Sequence, residues 1–311
     1  MNPKKHDIVA IDVSKRTLQL HCENEQAALP NDRGGFESIA KIAGKLPNAL
    51  VVCEPTGGYE RLLIQAMQAR GVPCALANAT QTRAFAMSQG VKAKNDPIDA
   101  RMIHRFAQQR NLQPRAVPDA TRQLVAELLD RRTQLSDHMA SEKARLDKCS
   151  KVAAKSIAKI IRVLEKEIVL IEAKIFKAIA VDPRASRQVK AMLEVTGVGK
   201  VTAWSVLSYL PELASLSRGK LVALVGLAPY DRDSGAYKGK RSISGGKAKV
   251  RGPLFMAATS GKTHNEHLKA FYQRLQAKGK PYKVCIVALM RKLIIHLQSI
   301  IKNHSHPIAC I

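Results

Sequence analysis

The chain has 311 residues, 46% of them apolar and 24% charged, which is enough to build more than one packed core and excludes a disordered tail. The anomaly is in the sign: 51 Lys and Arg face 25 Asp and Glu, a net charge of +26 that repels itself unless an anionic polymer neutralises it, so nucleic acid leads as the partner. Six scattered cysteines, the lack of an N-terminal signal pattern, and a late apolar stretch interrupted by Arg291, Lys292 and His296 argue for a reduced, soluble, cytoplasmic chain with no membrane partner.

In chain order, 7–13 (DIVAIDV) and 17–22 (TLQLHC) read as a β-hairpin across a short SKR turn. Helical spacing over 34–45, a buried-strand run at 49–54, a helix from Tyr59 to Arg70 and a strand at 72–77 follow. Strand, helix and strand at this spacing mean α/β with parallel pairing. A further helix runs from Asp96 towards Arg110, and Pro114 and Pro118 mark the first boundary. From Asp119 to about Ala180 there is no Gly or Pro, and the apolar positions recur at helical intervals in two registers that do not join across 150–156. This predicts a coiled coil or helical hairpin whose role is spacing and dimerisation. A third, mostly helical unit follows Asp182 and Pro183, with segments at 186–194, 200–209, 217–225, 252–260 and 265–302. The expected domains are thus 1–115, 119–182 and 185–311.

Charge is distributed unevenly along these units. Residues 1–118 carry 16 basic and 10 acidic side chains, residues 119–311 carry 35 and 15, and beyond Ser234 the one acid is Glu266. A surface that grips phosphates is expected there, with a steep dependence of binding on salt.

Four acids form the first candidate site. Asp12 lies near the end of the first strand and Glu54 at the end of another, and parallel strands bring their carboxyl ends to one edge. Asp96 and Asp99, three apart at a helix start, share a helix face. Such a group repels itself unless divalent cations neutralise it, and two Mg²⁺ ions would stabilise the attacking and leaving oxygens of a phosphodiester displacement. Each acid also has a plain structural reading: Asp12 as the cap of the turn to Ser14, Asp96 as a helix cap before Pro97, Asp99 as a favourable first-turn charge. Glu54 is harder to assign this way, because it ends the apolar run ALVVC.

In the third unit, LEVTGVGKVTA (193–203) resembles a helix-hairpin-helix element, in which the backbone at Gly197 and Gly199 and the side chain of Lys200 would hold a phosphate; a plain helix-helix turn is the alternative. It is not a nucleotide P-loop, because Glu194 stands where the first glycine would be. A long Gly-, Lys- and Ser-rich loop follows, GLAPYDRDSG (226–235) and then Lys238, Lys240, Arg241, Lys247, Lys249 and Arg251, all expected to meet nucleic acid. His264 with His267 and His304 with His306 lack a third ligand and read as surface histidines. By spacing alone Ser234 is a turn residue.

The set IDVSK (11–15), CEPTGGYE (53–60), KNDPIDA (94–100), GLAPYDRDSG and GKRSISGGKAKVR, in this order, resembles the IS110 family of insertion-sequence transposases, in detail the IS1111 subgroup, with relatives among Piv-type DNA invertases. The resemblance implies an RNase H/RuvC-like N-terminal domain, a helical connector and a mostly α C-terminal transposase domain. It also implies a DEDD tetrad at Asp12, Glu54, Asp96 and Asp99 holding Mg²⁺, with Mn²⁺ able to substitute. Ser234 is implied as the nucleophile that links transiently to DNA, Ser242 and Ser244 being the alternatives. The implied partners are donor and target DNA, a bridge RNA, and further copies of the chain as a homodimer or homotetramer on the bacterial nucleoid. The competing readings are a RuvC-like junction-resolving endonuclease that uses water, leaving Ser234 idle, and a non-catalytic nucleic-acid-binding assembly protein.

Overall fold

The computed structural model describes residues 5–23, 25–91, 95–114, 119–231, 233, 234, 239 and 241–303. The chain divides into two compact units, Met1–Val117 and Pro118–Ile311.

The first unit is a five-stranded sheet with helices on both faces. Strands β1 (Asp7–Val13), β2 (Thr17–Cys22) and β3 (Glu25–Pro30) form an antiparallel meander. Helix α1 (Arg33–Gly44) crosses to β4 (Ala49–Cys53), and α2 (Glu60–Gln68) to β5 (Cys74–Leu76), both parallel to β1. The order is β3-β2-β1-β4-β5, and helices α3 (Ala79–Ser88) and α4 (Asp96–Arg110) complete the unit. Because β1 and β4 are central and covered on both faces, they read as continuous apolar runs. Val9, Ile11, Val51 and Cys53 pack towards Phe36, Ile39, Leu63 and Met67. Ile8, Ala10, Leu50 and Val52 pack towards Ile103, Phe106 and Ala107 of α4. The sequence reading missed β3 and α3. β3 is an edge strand of mixed exposure, fixed by its pairing with β2, and α3 buries only Thr82, so neither leaves a periodic signature.

The second unit begins with a helical hairpin, α5 (Ala120–Leu146) and α6 (Lys151–Val181). The mismatch of registers near 150 is its turn, where Ser150 caps α6. Helices α7 (Pro183–Leu193), α8 (Lys200–Tyr209) and α9 (Arg218–Val225) follow, then a two-stranded ribbon of β6 (Pro229–Tyr230) and β7 (Ser242–Ile243), and helices α10 (Ala248–His264), α11 (Glu266–Ala277) and α12 (Tyr282–Asn303). One core joins Leu129, Leu135, Ile171 and Ile175 of the hairpin to Trp204, Leu254, Leu289 and Leu293. The expected single helix over 265–302 is two helices, because the chain turns at Gly279, which has positive φ, ahead of Pro281. By length and composition α12 could cross a membrane, but half of its most apolar window is buried within the unit.

Candidate active site

The sheet register places the first two acids side by side. Ile11 is aligned with Cys53 across the parallel pair, so Asp12 and Glu54 each follow an aligned residue at the carboxyl ends of neighbouring strands. Since Ile11 and Cys53 face α1 and α2, the pleat turns the next residue of each strand towards α4. On α4, Asp96 and Asp99 lead into the buried residues Ala100 and Ile103 at three- and four-residue spacing, so its first turn continues the face packed on that side of the sheet.

The electrostatics register this meeting. The Asp12 carboxyl is pushed from 3.8 up to about 6, by its own burial first and then by the charges of Asp99, Asp96 and Glu54. Three acids distant in sequence therefore act on a fourth. Among the described residues, however, no group of three or more Asp, Glu, His or Cys side chains stands close enough together to hold a metal ion. Like charges with no cation between them gain by standing apart. As a donor set, four carboxylates are hard oxygen ligands of the kind that divalent cations of the Mg²⁺ class take.

The capping duties suggested for these acids fall to other residues. Asn95, not Asp96, caps α4, its side chain accepting from Ile98 N at 3.0 Å, and Asp96 is the first helical residue. The turn after β1 is closed by Ser14 and Thr17, whose hydroxyls lie 2.7 Å apart, and by Asn31 donating to Ser14 O.

One residue with a role at this site went unnoticed in the sequence. Glu60 is 8% exposed, and its Oε2 accepts from Thr56 N at 3.1 Å, Thr56 Oγ1 at 3.2 Å and Gly58 N at 2.9 Å. It thereby holds the turn that follows Glu54. Gly57 and Gly58 have φ of +76° and +117°, conformations that L side chains rarely adopt, which explains why the turn needs two glycines. A Thr followed four residues later by Glu across a Gly pair was the available signal.

In the second unit Ser234 is exposed, on the long loop that leaves β6 and returns through β7. The loop is pinned at its base. A Cβ on Gly246 would lie 2.2 Å from Gly226 N, so the end of α9 and the returning chain approach closely only because both are glycine. Lys247 N bonds Leu224 O at 2.9 Å, and Arg251 donates to the carbonyls of Gly245 and Val225. Asp233 accepts from Gly239 N at 3.0 Å, and Arg241 pairs with Asp231 at 2.5 Å. Arg232, Gly235, Tyr237, Lys238 and Lys240 of this loop, with Lys94, His304, His306 and Cys310 elsewhere, lie outside the described residues.

Most of the basic residues expected to meet nucleic acid have partners within the chain. Lys247 donates to Tyr209 O and pairs with Glu212 at 2.7 Å, with its side chain 22% exposed. Lys249 pairs with Asp130 at 2.6 Å and Lys200 with Glu172 at 2.5 Å, their side chains 57% and 56% exposed. Burial opposes the charge on Glu172, but hydrogen bonds from Lys200 and Arg132 outweigh it and hold the carboxyl below its usual range. Gly197, with φ +99°, packs its backbone against Gly261, where a Cβ would come within 2.8 Å, so its glycine is also required by helix packing. Gly199 caps α8 without a side-chain bond.

Residues 3–154 match a DEDD domain of IS110 type described as a transposase, and residues 189–273 match the transposase family IS116/IS110/IS902. Two curated relatives, the pilin gene-inverting proteins of Moraxella lacunata and Moraxella bovis, are each 25% identical over 309 residues, covering 95% of this chain and 96% of theirs. A DEDD domain of this kind carries a requirement for divalent metal and acts on DNA. The two matches take consecutive stretches of one chain in the order expected from its motifs, and the chain belongs to the IS110 family of transposases, a DNA recombinase of that class.

Proposed function

We propose that the first unit is an RNase H/RuvC-like catalytic domain in which Asp12, Glu54, Asp96 and Asp99 hold Mg²⁺, and that Ser234 of the second unit is the nucleophile in a cleavage and rejoining reaction on insertion-sequence DNA. The observation that carries this reading is the register of β1 and β4, which aligns the residues just before Asp12 and Glu54, with Asp96 and Asp99 in the first turn of α4; the raised carboxyl of Asp12 supports it. The sheet order β3-β2-β1-β4-β5, with its antiparallel meander and parallel extension, supports the RNase H-type assignment.

The division of labour follows from the residues. Mg²⁺, when bound, supplies Lewis-acid stabilisation of the charge on the attacking and leaving oxygens. Asp12 stands in the central strand and Glu54 directly after its neighbour, and Asp96 and Asp99 lie in the first turn of a capped helix, so the acids sit on or beside regular elements. Ser234 Oγ attacks a backbone phosphorus and displaces a DNA hydroxyl, leaving a phosphoserine diester. A hydroxyl of the exchanged strand then attacks that phosphorus and releases the serine. One phosphodiester is exchanged for another, and no ATP is consumed. The acids and the serine come from different subunits of a dimer or tetramer, as the family resemblance implies, around donor DNA, target DNA and a bridge RNA. Functionally the chain is read as catalytic domain 1–115, helical connector 119–182 and serine-bearing domain 185–311.

The exposed members of the basic set, Arg241, Lys249 and Lys200, remain available to phosphate, because surface ion pairs contribute little and exchange readily for a polyanion. Lys247 and Arg251 serve the loop base instead.

Trapping tests the proposal. Denaturing the protein during reaction with its DNA should yield a covalent adduct that Ser234→Ala abolishes and that Ser242→Ala and Ser244→Ala retain. Cleavage undiminished in Ser234→Ala would mean that water is the nucleophile, as in a junction-resolving endonuclease. A defined small RNA co-purifying with the chain is the expected sign of the RNA partner.

A further inference from the structure

A concave site lies within the second unit. It has a volume of about 610 Å³, bounded by the first residue of α9, the start of α11, one face of α12 and Val195 before the α7–α8 turn. On α12, Lys292, His296, Ser299 and Asn303 recur at three- and four-residue spacing, all exposed and all lining the cavity. Arg218, His267 and Lys302 add to the rim.

Two properties distinguish this cavity from the rest of the basic surface. No Asp or Glu lines it, and no ion pair among the described residues engages Arg218, Lys292 or Lys302, whereas Arg241, Lys247 and Lys249 each have a carboxylate. Three uncompensated cations converging on one hollow raise its potential and favour an anion there. The floor, by contrast, is mainly apolar: Leu268 and Leu293 are 8% and 2% exposed, Val195 and Ile295 lie beside them, and the buried Gln298 among them spends its amide NH2 on the carbonyls of Leu213 and Leu216. Lys292 Nζ also sits 4.1 Å from the centroid of the Phe271 ring. A duplex keeps the faces of its bases stacked and presents phosphate, sugar and base edges. A flexible strand presents phosphate and an unstacked base together, which matches a cationic rim around an apolar floor.

We propose that this pocket binds one nucleotide of a single strand, with the phosphate on Arg218, Lys292 and Lys302 and the base over the Leu268 and Leu293 floor, flanked by Ser299 and Asn303. The proposal rests on the reading of the chain as a nucleic-acid enzyme and adds a single-strand site that the cutting and joining chemistry does not require. RNA and unpaired DNA share this chemistry.

The test uses the full-length protein and labelled oligouridylate, oligothymidylate and a duplex DNA of equal length, with binding followed by fluorescence anisotropy over a salt series. In the Arg218→Ala/Lys292→Ala/Lys302→Ala variant, single-strand affinity should fall at least about tenfold, and the slope of log K against log salt should drop by about 0.7, the contribution of the one phosphate that the pocket neutralises. Duplex affinity should change by less than about twofold. A second variant, Ser299→Trp, fills the hollow from an exposed position without altering charge, and should weaken single-strand binding while leaving the salt slope unchanged. The strand with the larger loss identifies the ligand as RNA or DNA. Unaltered single-strand binding in both variants, or an equal loss for duplex, overturns the pocket. A parent protein that binds none of the three removes the nucleic-acid reading as well, so the two failures are distinguishable.

Discussion

Replacing Asp12 by Asn should make the metal-free protein more stable while destroying its activity. Folding moves the Asp12 carboxyl from 3.8 to about 6, by burial and by three neighbouring acids. For a raised acid, the stabilisation is fully present below the unfolded value and is lost as pH rises through the folded one. At neutral pH the ionised group therefore costs stability. A shift of about two units corresponds to at most about 3 kcal/mol, and solvent screening of a half-buried group reduces this to about 1 kcal/mol. For a unit of this size that is about 4 °C in Tm. Melts followed by circular dichroism in EDTA should show Asp12→Asn unfolding above the parent at pH 7.5, with the gap closing below about pH 4, where the parent carboxyl is protonated in both states. Mg²⁺ should raise the parent midpoint more than that of Asp12→Asn, and the variant should cut no DNA. A midpoint at pH 7.5 equal to or below the parent's would refute the raised Asp12 carboxyl, and the burial and neighbouring charge from which the prediction is worked.

Other expectations come from single residues. Glu60→Ala strands the donors of Thr56 and Gly58, so chemical denaturation should register a loss of about 1–3 kcal/mol, and cleavage should fall with DNA affinity unchanged because the turn behind Glu54 loosens; full cleavage would exclude Glu60 as a positioning residue. Gly246→Ala forces a Cβ to 2.2 Å from Gly226 N at a positive φ, and should cost at least about 2 kcal/mol and abolish the Ser234 adduct. Wild-type stability in that variant would show that the loop base can open freely. The excess of cations beyond residue 118 predicts that log K for DNA falls linearly and steeply with log salt; a flat response would contradict a phosphate-gripping second unit.

How far the sequence carries these conclusions depends on the kind of signal each residue leaves. β1 and β4 are legible because strands buried on both faces are continuously apolar, and once their pairing is parallel, Asp12 and Glu54 must end side by side. The helix start at Asp96 is legible from Asn-Asp-Pro, although the cap falls one residue earlier, on Asn95. β3 and α3 are not, since one is held by backbone pairing at an edge and the other buries a single residue. Charge in the sequence does not show which cations are partnered within the chain. Lys247, Lys249 and Arg251 sit in one basic run, but Glu212, Asp130 and the Gly245 carbonyl, which engage them, are distant in sequence or belong to the backbone. Arg218 and Lys292 stand in no conspicuous cluster, and only the packing of α9 against α12 shows them lining one hollow.

The central claim is that four carboxylates drawn from β1, β4 and α4 together hold divalent metal. Anomalous diffraction from crystals soaked in Mn²⁺ tests it directly. The account predicts manganese density within bonding distance of Asp12 and at least two of Glu54, Asp96 and Asp99, absent from Asp12→Asn crystals. Manganese bound elsewhere, or these acids facing away from one another with no metal between them, would contradict it.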